Sequence, residues 1–324
     1  MIGVALLGSG AIARDHAAAF ARVGGVRVTH VVGTDLARAR RIAALAPGCR
    51  ATTDPAEALT DPAVTGVVVC GRTGDHIDRA LAAVAAGRHV VIEKPPARTL
   101  AAFETLVAAA RAAGVRLMVG QTTRFQPAVR TLAAAAAAGA AGTPRLLHLA
   151  WYVGHVWPGG WNSWQLDPDA SGGHLVHNGM HPLDLAVALL GGRPVRVFAR
   201  GWCTHAPGMP TPDSFHVTVR FDSGALALAE LSYGLRTPGA MLRRMVLTGD
   251  AGALTHHTGG DPVLGAAPPA SVADALYHQA VHTADVFAGR AEPIVTLEQS
   301  RAALAAALAA QRSLHSGRPE PCDA

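Results

Sequence analysis

One lysine, a short run of histidines and a glycine-rich turn carry the chemistry this chain could do. Lys94 follows the strand-like run His89–Ile92 and Glu93, and precedes Pro95-Pro96. A lysine held between a buried strand and two prolines is poorly placed to be merely solvated. Its ammonium could stabilise an oxygen that gains negative charge. His174, His177 and His181 recur at i, i+3 and i+7, with Asp184 beyond them. An imidazole titrates near neutrality, as a general base should, which makes His181 a candidate proton acceptor. On one continuous helix the three histidines would share a face, which raises a metal site. Gly172-Gly173 and Gly179 predict instead that the helix starts late and leaves them unaligned, so no metal is expected.

The third feature is Gly8-Ser9-Gly10-Ala11-Ile12-Ala13. Gly8 permits a tight turn. Gly10 lets backbone N–H groups approach a pyrophosphate, whose charge a helix N-terminus favours, and Ala13 still allows close helix–strand packing. Such a pattern has meaning only between a strand and a helix, and the flanking elements supply that setting. Apolar or β-branched runs at Ile2–Leu7, Val26–Val32, Val64–Cys70, His89–Ile92 and Arg116–Val119 read as strands. They alternate with helical patterns at 11–21, Leu36–Ala46, His76–Ala86 and Leu100–Ala113, and a short helix opens at Asp54-Pro55. This alternation predicts a parallel, doubly wound sheet.

The second strand ends Val32-Gly33-Thr34-Asp35-Leu36-Ala37-Arg38. If Asp35 bonds the ribose 2′-OH, the cofactor is NAD. If Gly33 vacates the acidic position and Thr34 and Arg38 receive a 2′-phosphate, it is NADP. Asp35 lies two residues past the expected position, so the reading leans to NADP.

The chain has 324 residues, half of them apolar by the AVILMFWYC count and 16% charged, which suits two domains with a sizeable core. The formal charge of +5 is spread as single arginines, which gives no nucleic-acid footprint. Four cysteines lie far apart without a CxxC pair, and no apolar run reaches membrane-spanning length, so a reducing cytoplasm is expected. Beyond residue 143, the segments Arg145–Tyr152, Val195–Thr204, Ser214–Asp222, Ala225–Tyr233 and Arg243–Leu247 read as mostly antiparallel strands. Trp151, Trp157, Trp161 and Trp164 cluster in a Gly/Pro-rich stretch that suits either a substrate loop or an oligomer contact.

Several of these segments together resemble one family. Ala85-Ala86-Gly87-Arg88-His89-Val90-Val91-Ile92-Glu93-Lys94-Pro95-Pro96 is similar to the AGKHVxxEKP segment of the glucose–fructose oxidoreductase / inositol dehydrogenase / MocA (Gfo/Idh/MocA) family. Gly74-Asp75-His76, the stretch from Val119 to Pro127, and the element from Ser171 through Gly179, His181 and Asp184 resemble further motifs of that family. The resemblance implies a Rossmann domain at 1–120 and an α+β domain at 121–324. The second would carry a large open, mostly antiparallel sheet that binds substrate and supports a homodimer or homotetramer.

The activity it implies is hydride transfer between NADP or NAD and a hydroxyl or carbonyl carbon of a sugar, polyol or related cyclic hydroxy compound. A redox-neutral lyase or glycosidase, and a non-catalytic regulator, are the alternatives. Catalysis would fall to Lys94, His181 and His177. Cofactor contacts would come from Gly8, Ser9, Gly10, Ala11, Ile12, Gly33, Thr34, Asp35, Arg38, Gly71, Arg72, His76, Glu93 and Lys94, and substrate contacts from Arg124, Trp161 and Asn178. A cis peptide at Pro95 is also implied. The chain departs from the family at two places: His177 stands where an aspartate is usual, and Gly71-Arg72 replaces the usual Thr-Pro.

Overall fold

The computed structural model describes residues 1–154, 163–204, 211–260 and 272–322. The chain divides into two compact units, Met1–Gln126 with Val272–Glu298, and Pro127–Ser271 with Gln299–Ala324.

The first unit is built on six strands: β1 (Ile2–Leu7), β2 (Val26–Val32), β3 (Arg50–Thr52), β4 (Gly66–Val69), β5 (His89–Glu93) and β6 (Leu117–Gly120). They lie in the order β3-β2-β1-β4-β5-β6, and every neighbouring pair is parallel. This is the doubly wound order, in which the reversal at β1 leaves a crevice beyond the carboxyl ends of β1 and β4. Val4–Leu7, Val67–Val69 and Val90–Ile92 are buried throughout, as continuous apolar runs in a sheet covered on both faces must be.

Five helices follow the strands: α1 (Ala11–Phe20), α2 (Leu36–Ala43), α3 (Pro55–Thr60), α4 (His76–Ala85) and α5 (Leu100–Ala112). Their starts are chemically marked. Asp35, Asp54 and Thr99 each accept a hydrogen bond from a backbone N–H of the first turn, and Pro55 takes the first helical position.

The second unit contributes α6 (Pro127–Ala137), β7 (Pro144–Gly154), α7 (Pro168–Ser171) and α8 (His174–Leu190), then β8 (Pro194–Trp202), β9 (Ser214–Phe221), β10 (Leu226–Leu235), β11 (Met241–Gly249) and β12 (Gly252–Gly260). α9 (Val272–Phe287) returns to the first unit, and α10 (Leu297–Ser316) with the short β13 (Glu320–Pro321) closes the described chain. The seven-stranded sheet runs β12-β11-β7-β10-β9-β8-β13, antiparallel except for the parallel β7–β10 pair. Leu147, Leu149 and Trp151 of β7 and Ala227, Ala229 and Leu231 of β10 alternate into the buried face, against which α8 packs.

α8 corrects one expectation. The glycines were expected to delay the helix, yet it starts at His174, directly after Gly173, and runs through Gly179. Gly172 and Gly173 take positive φ of 88° and 94°, which glycine adopts without penalty, so they turn the chain sharply and let the helix begin at once. Pro182 is buried inside the helix. Strands β3, β12 and β13 also lie outside the sequence-predicted set.

Candidate active site

In the first unit, the glycine turn is shaped by close approach. A Cβ at Gly8 would lie 2.5 Å from the Cys70 carbonyl oxygen, so only glycine lets β1 turn against the end of β4. At Gly10 a Cβ would meet nothing within 4 Å. Gly10 is the N-cap of α1 and offers no side-chain acceptor, so the first N–H groups of α1 face open space. That is the setting an anion requires. Gly10 and Ala11 are exposed, Ile12 is half-buried and Ser9 is buried.

Ser9 fills the space that a side chain at position 33 would need, since a Cβ there would lie 2.3 Å from Ser9 Oγ. Asp35 is engaged as a helix cap: its carboxylate accepts from the Arg38 N–H at 3.0 Å, with the Arg38 guanidinium 3.8 Å away. That backbone hydrogen bond holds its pKa below the ordinary aspartate value. Thr34 and Arg38 are exposed beside it. A cavity of about 260 Å³, lined by Leu7, Gly33, Thr34, Thr53, Asp78 and Arg79 among others, opens at the carboxyl ends of β1 and β2 and suits an adenosine group.

Lys94 is half-buried at the carboxyl end of β5, and the Lys94–Pro95 peptide is cis, as the resemblance implies. Burial pushes its ammonium pKa down, and the Glu93 carboxylate pulls it back up. Glu93, only 5% exposed, turns inward. Its Oε1 lies 2.8 Å from His16 Nε2 on α1, and its Oε2 accepts the Lys94 N–H at 3.1 Å. Burial alone would raise the Glu93 pKa, but His16 and Lys94 together hold it below the usual glutamate value. His76 is also buried, with Nδ1 2.9 Å from the Pro95 carbonyl oxygen and Nε2 3.2 Å from that of Gly71. Burial lowers its pKa, so the ring is neutral and its single N–H donates to one of these two carbonyls at the turn after Lys94. Gly71 is half-buried, Arg72 is exposed, and buried Arg124 donates to the Ile294 carbonyl at 3.4 Å.

Beyond the ends of β4 and β6, on either side of Lys94's strand, sit Thr73 Oγ1 and both polar atoms of the Gln121 side chain. All are buried with no hydrogen-bond partner among the described residues. Buried polar atoms are rarely left so, and a polar ligand or water at the carboxyl edge of the sheet would satisfy them. The donor set therefore fits a dinucleotide: an open helix N-terminus, an adenosine-sized cavity and polar groups beside Lys94.

In the second unit, α8 brings the histidines onto one helix but gives them different surroundings. His174 Nδ1 donates to the Pro212 carbonyl at 2.8 Å. Its ring packs against Phe215 and Tyr233, and burial pushes its pKa down to about 4, so it is neutral. His177 meets Trp164 edge-on with centroids 5.5 Å apart. His181 stacks on Trp151 with centroids 5.5 Å apart and an interplanar angle of 20°. Trp151 is also capped by Arg243, whose guanidinium carbon stands 3.7 Å from the ring centroid. Arg243 is 6% exposed, and burial lowers its pKa to about 9, so it stays cationic at neutral pH. Asn178 is buried on α8, and its Nδ2 has no partner among the described residues, which suits a ligand oxygen. Asp184 is buried on the same helix. Trp161 and Trp157 lie outside the described residues. Among the described residues no group of three or more His, Cys, Asp or Glu could hold a metal ion, and no helix is long and apolar enough to cross a membrane.

Comparison with known proteins places both parts of the chain in one family. Residues 2–121 match the family model described as the GFO/IDH/MocA oxidoreductase family, NAD-binding Rossmann fold, and residues 129–255 match the GFO/IDH/MocA C-terminal domain. The chain belongs to the Gfo/Idh/MocA family. It is 30% identical over 260 residues to a 1,5-anhydro-D-fructose reductase of Ensifer adhaerens, covering 75% of this chain and 76% of that one. It is 38% identical over 151 residues to an inositol 2-dehydrogenase of Acidothermus cellulolyticus, covering 46% of this chain and 44% of that one. In structure it resembles a myo-inositol dehydrogenase from Corynebacterium glutamicum, with a TM-score of 0.83, 22% identity and coverage of 99% and 98% of the two chains.

As a Gfo/Idh/MocA member, the chain carries site features that its sequence did not announce. His16 sits one helical turn past Ala13 with nothing to mark it as the partner of Glu93. Gln121 is an ordinary polar residue in a linking segment. Arg243 stands among strand residues, and only the β7–β11 register, which pairs it with Trp151, shows its place.

Proposed function

We propose that this Gfo/Idh/MocA protein is an NAD(P)-dependent oxidoreductase acting on a CH–OH carbon, or the matching carbonyl, of a sugar, polyol or related cyclic hydroxy compound. The observation that carries the reading is Lys94: a half-buried lysine at the carboxyl end of a parallel strand, in the same unit as an open, glycine-lined helix N-terminus. The named relatives, a reductase of an anhydro-sugar and a dehydrogenase of inositol, support this substrate class. No observation favours the redox-neutral or regulatory alternatives.

The cofactor, when bound, supplies the site that accepts or returns hydride. The chain's own residues do the rest. Gly8, Ser9, Gly10, Ala11 and Ile12 present backbone N–H groups to the pyrophosphate, and His76 and Glu93 hold the Lys94 turn in place. The Lys94 ammonium stabilises the substrate oxygen as it gains negative charge, and His181 accepts the hydroxyl proton. His177, in place of the family aspartate, and Asn178 hydrogen-bond substrate oxygens, with Arg124 as a further substrate contact. The finer cofactor reading is NADP: Gly33 vacates the acidic position, Asp35 is occupied in capping α2, and Thr34 and Arg38 are exposed to receive a 2′-phosphate. The reading includes a homodimer or homotetramer formed through the face of the seven-stranded sheet opposite α8, where Leu146, Tyr152, Leu228, Leu242 and Val246 are half-buried.

The test is fluorescence titration with NADPH and NADH, followed by turnover across sugars, polyols and cyclic hemiacetals. Tighter binding of NADPH is expected. Lys94→Ala should lower kcat by about a hundredfold or more, as loss of an oxyanion donor does, while cofactor affinity changes little. Undiminished kcat in that variant would end the assignment of Lys94.

A further inference from the structure

We propose that Arg243, acting through the Trp151 ring, is a positioning residue that fixes the His181 imidazole and keeps it in the neutral form that can accept a proton. Arg243 on β11 and Trp151 on β7 are directly opposed, so both side chains stand on the sheet face against which α8 packs. From there the guanidinium reaches over Trp151 at 3.7 Å, and the same indole stacks against His181 at 5.5 Å between centroids. One aromatic ring therefore touches both a guanidinium that is cationic at neutral pH and the candidate base.

Two consequences follow. The indole, held by a guanidinium and by its burial in the sheet, is a fixed platform that limits rotation of the imidazole. A positive charge on the same indole also raises the free energy of the imidazolium relative to the neutral ring of half-buried His181. A family aspartate at position 177 would orient or charge the base; His177 cannot do so in the same way, and Arg243 supplies orientation from the sheet side instead.

Other titratable and charged groups stand on the described elements around His181. On α8 they are His174, held neutral by burial, with His177 and buried Asp184. α7 carries exposed Asp169, preceded by exposed Asp167. β10 contributes Tyr233, and Asp213 lies buried just before β9. On β12, His256 is paired with Met245 and therefore stands on the Arg243 face. His148 and Tyr152 of β7 and Glu230 of β10 alternate to the opposite face.

The inference deepens the reading of His181 as the base and rests on it for its catalytic meaning, but its physical content is measurable without turnover. The full chain, labelled with ¹³C-histidine, is titrated by NMR, and the His181 resonance is assigned by its loss in His181→Asn. In Arg243→Met the His181 midpoint should rise by about half to one pH unit, the scale of a nearby charge in a partly screened interior. Arg243→Lys, which keeps a cation over the ring, should restore it to within a few tenths of a unit. A midpoint that is unchanged or lower in folded Arg243→Met overturns the proposal. If Arg243→Met does not fold, Trp151→Phe serves as the second variant: a smaller ring with a weaker hold on the cation should also raise the midpoint, and no rise would overturn the proposal. The acid limb of kcat/KM for alcohol oxidation should move with the NMR midpoint. If the resonance moves and the limb does not, Arg243 stands and the assignment of His181 as base falls.

Discussion

At the scale of single residues, Lys94 and Glu93 set an electrostatic balance that pH can read. Burial lowers the Lys94 pKa and the Glu93 carboxylate raises it. Glu93→Gln removes only the second influence, so the ammonium is lost at lower pH than in the native chain. The alkaline limb of kcat/KM is therefore expected to shift downward, and a pH–rate profile of the two proteins checks it. A limb that stays in place would show that the Lys94 charge does not govern that side of the profile. The place of Lys94 at the end of a strand was legible, because the apolar run before it and the two prolines after it are local signals. The inward turn of Glu93 was not legible. Nothing in the order Ile92-Glu93-Lys94 says that the carboxylate pairs with a helix 77 residues earlier in the chain.

Elements carry the next level of consequence. The His16–Glu93 pair ties α1 to β5 inside the fold, with His16 1% exposed. His16→Leu removes the side-chain partner of a buried carboxylate and leaves it only its Lys94 contacts, which costs on the order of 3 kcal/mol. The penalty exists only while Glu93 is ionised. Its folded pKa is depressed, so the stability it contributes is present above the unfolded carboxylate value and lost as pH falls through the folded one. The stability gap between native and His16→Leu proteins, measured by urea denaturation, should be full at pH 7 and narrow toward pH 3.

Gly33→Asp alone would collide with Ser9, whereas Ser9→Gly with Gly33→Asp makes room for an acid at the strand end. That double variant should bind NADH more tightly and NADPH at least tenfold more weakly by fluorescence titration, since a carboxylate bonds a 2′-OH and repels a 2′-phosphate. The strand–helix alternation behind both arguments was readable because apolar runs and Asp or Thr caps are local signals. The early start of α8 was hidden for the opposite reason. Paired glycines break helices in general, and here their positive φ launches one.

For the molecule as a whole, the face of the seven-stranded sheet opposite α8, where half-buried Leu146, Leu228, Leu242 and Val246 stand, predicts self-association. Light scattering should report a dimer or tetramer, and Leu228→Arg, which places a charge on that face, should shift it toward monomer without loss of fold. A monomeric native protein would remove that part of the reading. The sheet order of the second unit was only partly visible, because which strand neighbours which depends on long connections that leave no periodic trace. α9 is the extreme case. Its Phe287 lies against the close-packed Gly66, where a Cβ would come within 2.4 Å, and its Gln279 accepts a hydrogen bond from Thr122 Oγ1 at 2.8 Å. The nucleotide-binding unit is thus completed by residues made more than a hundred positions later. On a translating ribosome the first 126 residues emerge without the helix that covers them, and at typical elongation rates they wait roughly ten to thirty seconds for it. During that interval the patch around Gly66 and Thr122 is open to chaperones and to other nascent chains, so the vulnerable moment in this protein's life comes before its synthesis is finished.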